Sequence, residues 1–121
     1  MRKSEPVLAY YWFLNSCYIA DARAGVRLEP EVLRLLEEVA QAERLGTPLL
    51  VSQLMQRADI ASPATICRRI AMLKHDGWLI SSVVEGDTRI KPLRITAKTK
   101  KFFAKRNKLV LAAVENERQL G

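Results

Sequence analysis

Histidine and cysteine are scarce in this 121-residue chain, which contains one His and two Cys. Cys17 and Cys67 lie far apart and form no C-x-x-C pattern, so the sequence indicates neither a zinc site nor a disulfide framework. It also lacks a nucleophile with a histidine base, a Gly-rich phosphate loop and a cluster of metal ligands. We therefore expect neither an enzyme nor a bound cofactor.

Long hydrophobic runs are missing as well. The most apolar stretch, V-L-A-Y-Y-W-F-L at residues 7–14, follows Glu5 and Pro6. It is much shorter than the roughly 20 residues that span a bilayer. We expect no signal peptide or membrane anchor, a cytoplasmic location, and a single domain over residues 1–121.

Positive charge is abundant and unevenly distributed. The chain has a formal net charge of +7 and a pI of about 9.8. Residues 1–46 contain six Lys and Arg against seven Asp and Glu, whereas residues 47–121 contain fourteen against six. The asymmetry favours a polyanionic partner for the second half, nucleic acid above all. A basic surface that serves only solubility is the alternative.

Local start and stop signals predict a mainly α-helical fold with a small β-hairpin, of the α+β class. A Ser or Glu shortly before a proline is typical of a helix start and recurs three times, and glycines are typical of helix ends. We expect helices over residues 4–24, 29–46, 50–58 and 62–77, strands over 78–84 and 89–95, and a last helix capped by Thr96. The single domain then consists of N-terminal helices (1–46), a helix-turn-helix with a wing (47–96) and a C-terminal helix (97–121).

The first predicted helix is apolar around nearly its whole circumference. Such a helix is buried on all sides, which in a small chain favours one face against its own domain and another against a second subunit. The sequence therefore predicts a homodimer that uses the N-terminal helices. The residues concerned are Val7, Leu8, Tyr10, Tyr11, Trp12, Phe13, Leu14, Tyr18 and Ile19.

Two short helices joined by a turn and followed by a hairpin predict a winged helix-turn-helix that binds DNA. The second of these helices starts with small residues, which allow close approach to base edges and phosphates. One turn deeper, Arg68 has the length to bind guanine O6 and N7. The wing carries basic residues suited to a minor groove or to the phosphate backbone. The candidate contacts are Ser62, Pro63, Ala64, Thr65, Arg68 and Arg69 in the helix, and Arg89 and Lys91 in the wing.

Residues 51–103 resemble the MarR-type winged-helix regulators. The resemblance is carried by V-S-Q-L-M-Q-R-A in the supporting helix, S-P-A-T-I-C-R-R-I-A-M-L-K-H-D-G-W-L-I in the recognition segment, and D-T-R-I-K-P-L-R-I-T in the wing. It implies a homodimer on a pseudo-palindromic operator, with Arg89 in a minor groove and Asp87 holding that arginine in position. It also implies a small aromatic ligand as a possible effector, with Tyr10, Tyr11 and Trp12 as lining residues or simply as packing residues.

The function expected from these features is sequence-specific binding of double-stranded DNA by a dimeric transcriptional repressor that occludes a promoter. A winged helix that binds protein or RNA without reading DNA sequence is the alternative.

Overall fold

The computed structural model describes residues 8–82 and 91–120, which form helices and two short strands in the predicted order. Gly46 and Gly77 have φ angles of 81° and 82°, and these left-handed conformations end the second and fourth helices as expected. The predicted start of the first helix at Ser4 lies outside the described residues. The elements are α1 (Leu8–Ala24), α2 (Pro30–Arg44), α3 (Val51–Leu54), α4 (Pro63–His75), β1 (Leu79–Ser81), β2 (Leu93–Ile95) and α5 (Ala97–Leu120).

The third helix is shorter than the predicted span of 50–58. It ends at Leu54, and the amide of Arg57 then donates to the carbonyl of Leu54 at 2.9 Å, three residues back. The Arg57 side chain binds Asp59, and residues two apart lie on different sides of a helix. This side-chain contact therefore favours a tight turn where local propensity favours more helix.

The two strands form an antiparallel pair in which Leu79, Ile80 and Ser81 face Ile95, Arg94 and Leu93. At the base of the hairpin, the amide of Ser82 donates to the carbonyl of Pro92 at 2.9 Å. The edge of β2 that faces away from β1 is also hydrogen-bonded. The Leu93 amide donates to the carbonyl of Leu49 at 2.8 Å, and the Ile95 amide donates to the Glu43 carboxylate at 3.1 Å. The parts of the predicted strands within 83–90 lie outside the described residues.

The contacts divide the chain into two compact units, one of which is Leu28–Lys100. Its core contains the buried side of α4 together with one face of α2, so α2 packs with the helix-turn-helix. Burial of this apolar surface is the main favourable term in folding the unit. The core side chains are Val32, Leu35, Leu36, Val39, Leu54, Ile66, Ile70, Leu73, Trp78, Leu79 and Leu93.

The second unit is Met1–Arg27 with Lys101–Gly121. Within it, α1 and α5 run antiparallel. The Ala9 amide donates to Glu117 at 3.1 Å near one end of the pair, and Arg106 donates to Asp21 at 2.9 Å near the other. Buried Cys17 lies on the inner side of α1, and its burial raises the pKa of its thiol. No helix among residues 8–82 and 91–120 is both long and apolar enough to cross a membrane.

Candidate nucleic-acid interface

The N-terminus of α4 is fixed by its own first residues. Ser62 is the N-cap, and its hydroxyl oxygen accepts a hydrogen bond from the amide of Thr65 at 3.3 Å. Pro63 occupies the first helical position, where a missing N–H leaves no bond unmade. Ser62, Pro63 and Ala64 are all exposed, so the small residues predicted for this end of the helix form an accessible surface.

A line of hydrogen bonds connects this cap to Arg68. The Ser62 hydroxyl donates to Thr65 Oγ1 at 2.9 Å, and Arg68 Nη2 donates to the same oxygen at 3.5 Å. Thr65 Oγ1 therefore accepts two hydrogen bonds, one from each side of the first turn. The exposed guanidinium of Arg68 is thus held beside the Thr65 hydroxyl at the first turn of α4.

Arg69 has a different environment from its neighbour. Its guanidinium is 2.9 Å from a carboxylate oxygen of Glu29 and 3.7 Å from one of Glu31, both at the start of α2. The Arg69 side chain is 25% exposed. It therefore links α4 to α2, and the sequence contains no local signal for this pairing across forty residues.

The turn that precedes α4 is held by four charged side chains. Arg57 bridges Glu38 and Asp59, with contacts of 3.0 Å to Glu38 Oε2 and 2.9 Å to Asp59 Oδ1. Arg34 contacts the same two carboxylates, each at 3.2 Å. The hydrogen bonds from Arg57 lower the pKa of Asp59 to about 2 and lower the pKa of Glu38. Sequence reasoning did not find this cluster, whose members come from α2 and from the turn.

In the wing, Lys91 is exposed and precedes the buried Pro92 at the start of the return strand. The Pro92 carbonyl accepts from both the amide and the hydroxyl of Ser82, at 2.9 and 3.2 Å, which fixes the base of the hairpin. Asp87 and Arg89, the two wing residues singled out by the resemblance, lie outside the described residues.

The start of α5 is tied to the end of the recognition segment. As predicted, Thr96 caps α5, since its hydroxyl oxygen accepts from the Thr99 amide at 3.4 Å. The fully buried Thr99 donates its hydroxyl to the carbonyl of Trp78 at 2.6 Å. Lys98 Nζ donates to the carbonyl of Asp76 at 2.9 Å and lies 4.2 Å from the centre of the Trp78 ring system. These contacts connect α5 to the loop between α4 and β1.

No cluster of three or more potential metal ligands exists among residues 8–82 and 91–120. The chain matches no protein-family model and no curated protein. Among solved structures it is similar to the crystal structure of the adhesin competence repressor (AdcR) from Streptococcus pyogenes, with a TM-score of 0.51. The alignment covers 96% of this chain and 81% of that chain at 14% identity. At this identity the likeness concerns the fold, and it confirms the mainly helical architecture with a small hairpin that the sequence predicts. The chain therefore has a winged-helix fold like that of this solved structure.

Proposed function

We propose that this chain is a sequence-specific, double-stranded DNA-binding transcriptional regulator that acts in the cytoplasm as a homodimeric repressor. The observation that carries the proposal is the exposed line Ser62–Thr65–Arg68 at the N-terminus of α4. It combines a helix N-terminus, two hydroxyl groups and a guanidinium on one side of the helix. Such a surface fits base edges and phosphates in a major groove.

The charge of α4 supports a polyanionic partner. The helix sequence P-A-T-I-C-R-R-I-A-M-L-K-H contains two arginines and a lysine and no acidic residue. Of its two arginines, Arg69 is paired with Glu29, whereas Arg68 donates to the uncharged hydroxyl of Thr65. We assign base reading to Arg68 and Thr65, and a supporting position to Arg69. In the wing, we assign contact with the minor groove or the phosphate backbone to Arg89 and Lys91, with Asp87 holding Arg89 in position.

The homodimer is supported by the unit built from α1 and α5. Several large apolar side chains on these helices remain exposed in the single chain, and Tyr18 is 72% exposed. Exposed large apolar side chains gathered on one pair of helices are typical of a protein–protein interface. A second copy of the chain would present its own recognition helix to a second half-site, so that the operator is an inverted repeat. The exposed side chains are Tyr10, Tyr11, Tyr18, Ile19, Val110, Leu111, Val114 and Leu120.

Selection of duplexes from a random-sequence library at near-physiological salt tests the proposal. We expect enrichment of an inverted repeat, and Arg68→Ala should remove the preference for one base pair in each half-site. Affinities measured on the selected duplex and on a scrambled duplex separate base reading from phosphate attraction, because phosphate attraction does not depend on the base sequence. Absence of enrichment, with binding that vanishes as salt rises, would contradict the proposal and favour a protein or RNA partner.

A further inference from the structure

The accessible side of α4 is unusually apolar around Arg68. We define the outer face of α4 as Ala64, Cys67, Arg68, Ala71 and Met72, which recur at intervals of three and four residues and therefore lie on one side of the helix. All five are exposed, and Met72 is 39% exposed. The outer face is distinct from the buried side of α4, which packs into the core through Ile66, Ile70 and Leu73.

This composition restricts what the outer face recognises. Apart from the Thr65 hydroxyl that Arg68 contacts, the outer face carries two alanines, a cysteine and a methionine around this arginine, where a surface that binds only phosphates would carry further lysines or arginines. In a major groove, the apolar group on a base edge is the C5 methyl of thymine. Small and flexible apolar side chains around one guanidinium thus match a guanine with thymines nearby.

We propose that the outer face of α4 reads thymine methyl groups on both sides of the guanine bound by Arg68, with Ala64 on one side and Ala71 and Met72 on the other. This inference rests on the proposed function. The distance along the helix from Ala64 to Met72 is about 12 Å at a rise of about 1.5 Å per residue. That length matches three to four base pairs at about 3.4 Å each, so the thymines lie within about two base pairs of the guanine.

The test begins with the inverted repeat obtained by selection. Each thymine of a half-site is replaced in turn by deoxyuridine, which removes the C5 methyl and retains every hydrogen-bonding group. We expect an affinity loss of about threefold to fourfold at each contacted thymine, the effect of removing about one buried methyl group. Thymines outside the central base pairs of the half-site should tolerate the change.

A protein variant identifies which side chain makes each contact. Met72→Gln keeps a similar length and removes the apolar end, and the partial exposure of Met72 means that the fold is preserved. The variant should bind the thymine duplex less tightly and lose its response to deoxyuridine at one position, a coupling that a double-mutant cycle measures. Lys74→Gln, an exposed change on the same helix, should weaken binding to both duplexes equally.

The outcomes separate the two proposals. An enriched inverted repeat that tolerates deoxyuridine at every thymine, or that contains no thymine near the guanine, would overturn the inference and leave the proposed function intact. A selection that enriches no inverted repeat would overturn both the inference and the proposed function. Coupling between Met72 and one thymine methyl would establish the inference.

Discussion

The guanidinium of Arg57 binds both carboxylate oxygens of Asp59, with Nε 2.9 Å from Oδ1 and Nη2 3.0 Å from Oδ2. The same guanidinium also donates to both oxygens of Glu38 in α2, at 3.0 and 3.3 Å. Arg57 therefore clamps the turn of the helix-turn-helix onto the preceding helix. Since α4 begins only a few residues later, this clamp sets the direction in which the recognition helix leaves the turn.

Lowering the pH should weaken the ion pair between Arg57 and Asp59. Because Arg57 lowers the pKa of Asp59 from 3.8 to about 2, the folded state binds the Asp59 proton less readily than the unfolded state does. The contribution of Asp59 to stability is thus present above about pH 4 and is lost as the pH falls towards 2. Thermal melts between pH 6 and pH 2 should show a decline in the melting temperature. This decline should be smaller in Asp59→Asn, which should already be less stable than the wild type at pH 6. Asp76→Asn, the same change at another exposed aspartate, should keep the full decline.

Replacement of Arg68 by alanine should affect DNA and leave the fold unchanged. Arg68 is exposed and contacts Thr65 through one long hydrogen bond of 3.5 Å. We expect Arg68→Ala to weaken binding to the selected operator by about 1–3 kcal/mol and to relax the preference at one base pair per half-site. The melting temperature should be that of the wild type. Equal losses on operator and random duplexes would show that Arg68 contacts phosphate and does not read a base.

Arg69→Ala is the matched comparison, because the two arginines are adjacent. Arg69 pairs with Glu29, whose side chain is 64% exposed, and such a partly solvated pair is worth about 0.2–1 kcal/mol. We expect Arg69→Ala to lower stability by that amount and Glu29→Gln to reproduce the loss. The base preference in a selection should be unchanged. A lost base preference with an unchanged melting temperature would instead identify Arg69 as a DNA contact.

The contrast between these arginines shows where reading the sequence succeeds. The start of α4 is encoded locally, since the Ser62 cap, Pro63 and the spacing of Ile66 and Ile70 all lie within nine residues. The prediction of that helix and of its start at Ser62 and Pro63 is accordingly confirmed.

Features that depend on distant partners were not predictable from the same patterns. The charged cluster around the turn depends on Arg57 binding Glu38, nineteen residues earlier, and the pairing of Arg69 depends on Glu29, forty residues earlier. Propensity and periodicity describe neighbours along the chain and carry no information on such contacts. The sequence therefore indicates which residues form the recognition helix and not which arginine is engaged elsewhere.

Thr99 provides a test of the link between α5 and the recognition segment. Its buried hydroxyl donates to the Trp78 carbonyl at 2.6 Å, and Thr99→Val replaces that hydroxyl by a methyl group of similar size. Since the donor is removed and the carbonyl remains, we expect a loss of about 1–3 kcal/mol in the free energy of unfolding. Thr99→Ser retains the hydroxyl and should be less destabilised in urea unfolding. A loss in Thr99→Ser as large as that in Thr99→Val would show that the methyl group matters more than the hydrogen bond.

The proposed dimer makes a separate prediction about α5. Leu111 and Val114 are exposed in the single chain and lie three residues apart on the same side of the helix. Lysine at both positions would place two charges within the proposed apolar interface, where burial of unpaired charge is unfavourable. Sedimentation equilibrium should then show a monomer, and operator affinity should fall by about 10²–10⁴-fold because the two half-sites are no longer bound together.

A control on the basic side of the same helix separates this effect from a general change in charge. Lys101 and Lys105 are exposed, and Lys101→Gln with Lys105→Gln changes the charge by two without altering the apolar residues. This variant should remain a dimer, and its operator affinity should change only through a smaller salt dependence. A monomeric wild-type protein that still selects an inverted repeat would contradict dimerisation through α5. A dimer that persists in the lysine variant would instead place the interface on the exposed tyrosines of α1.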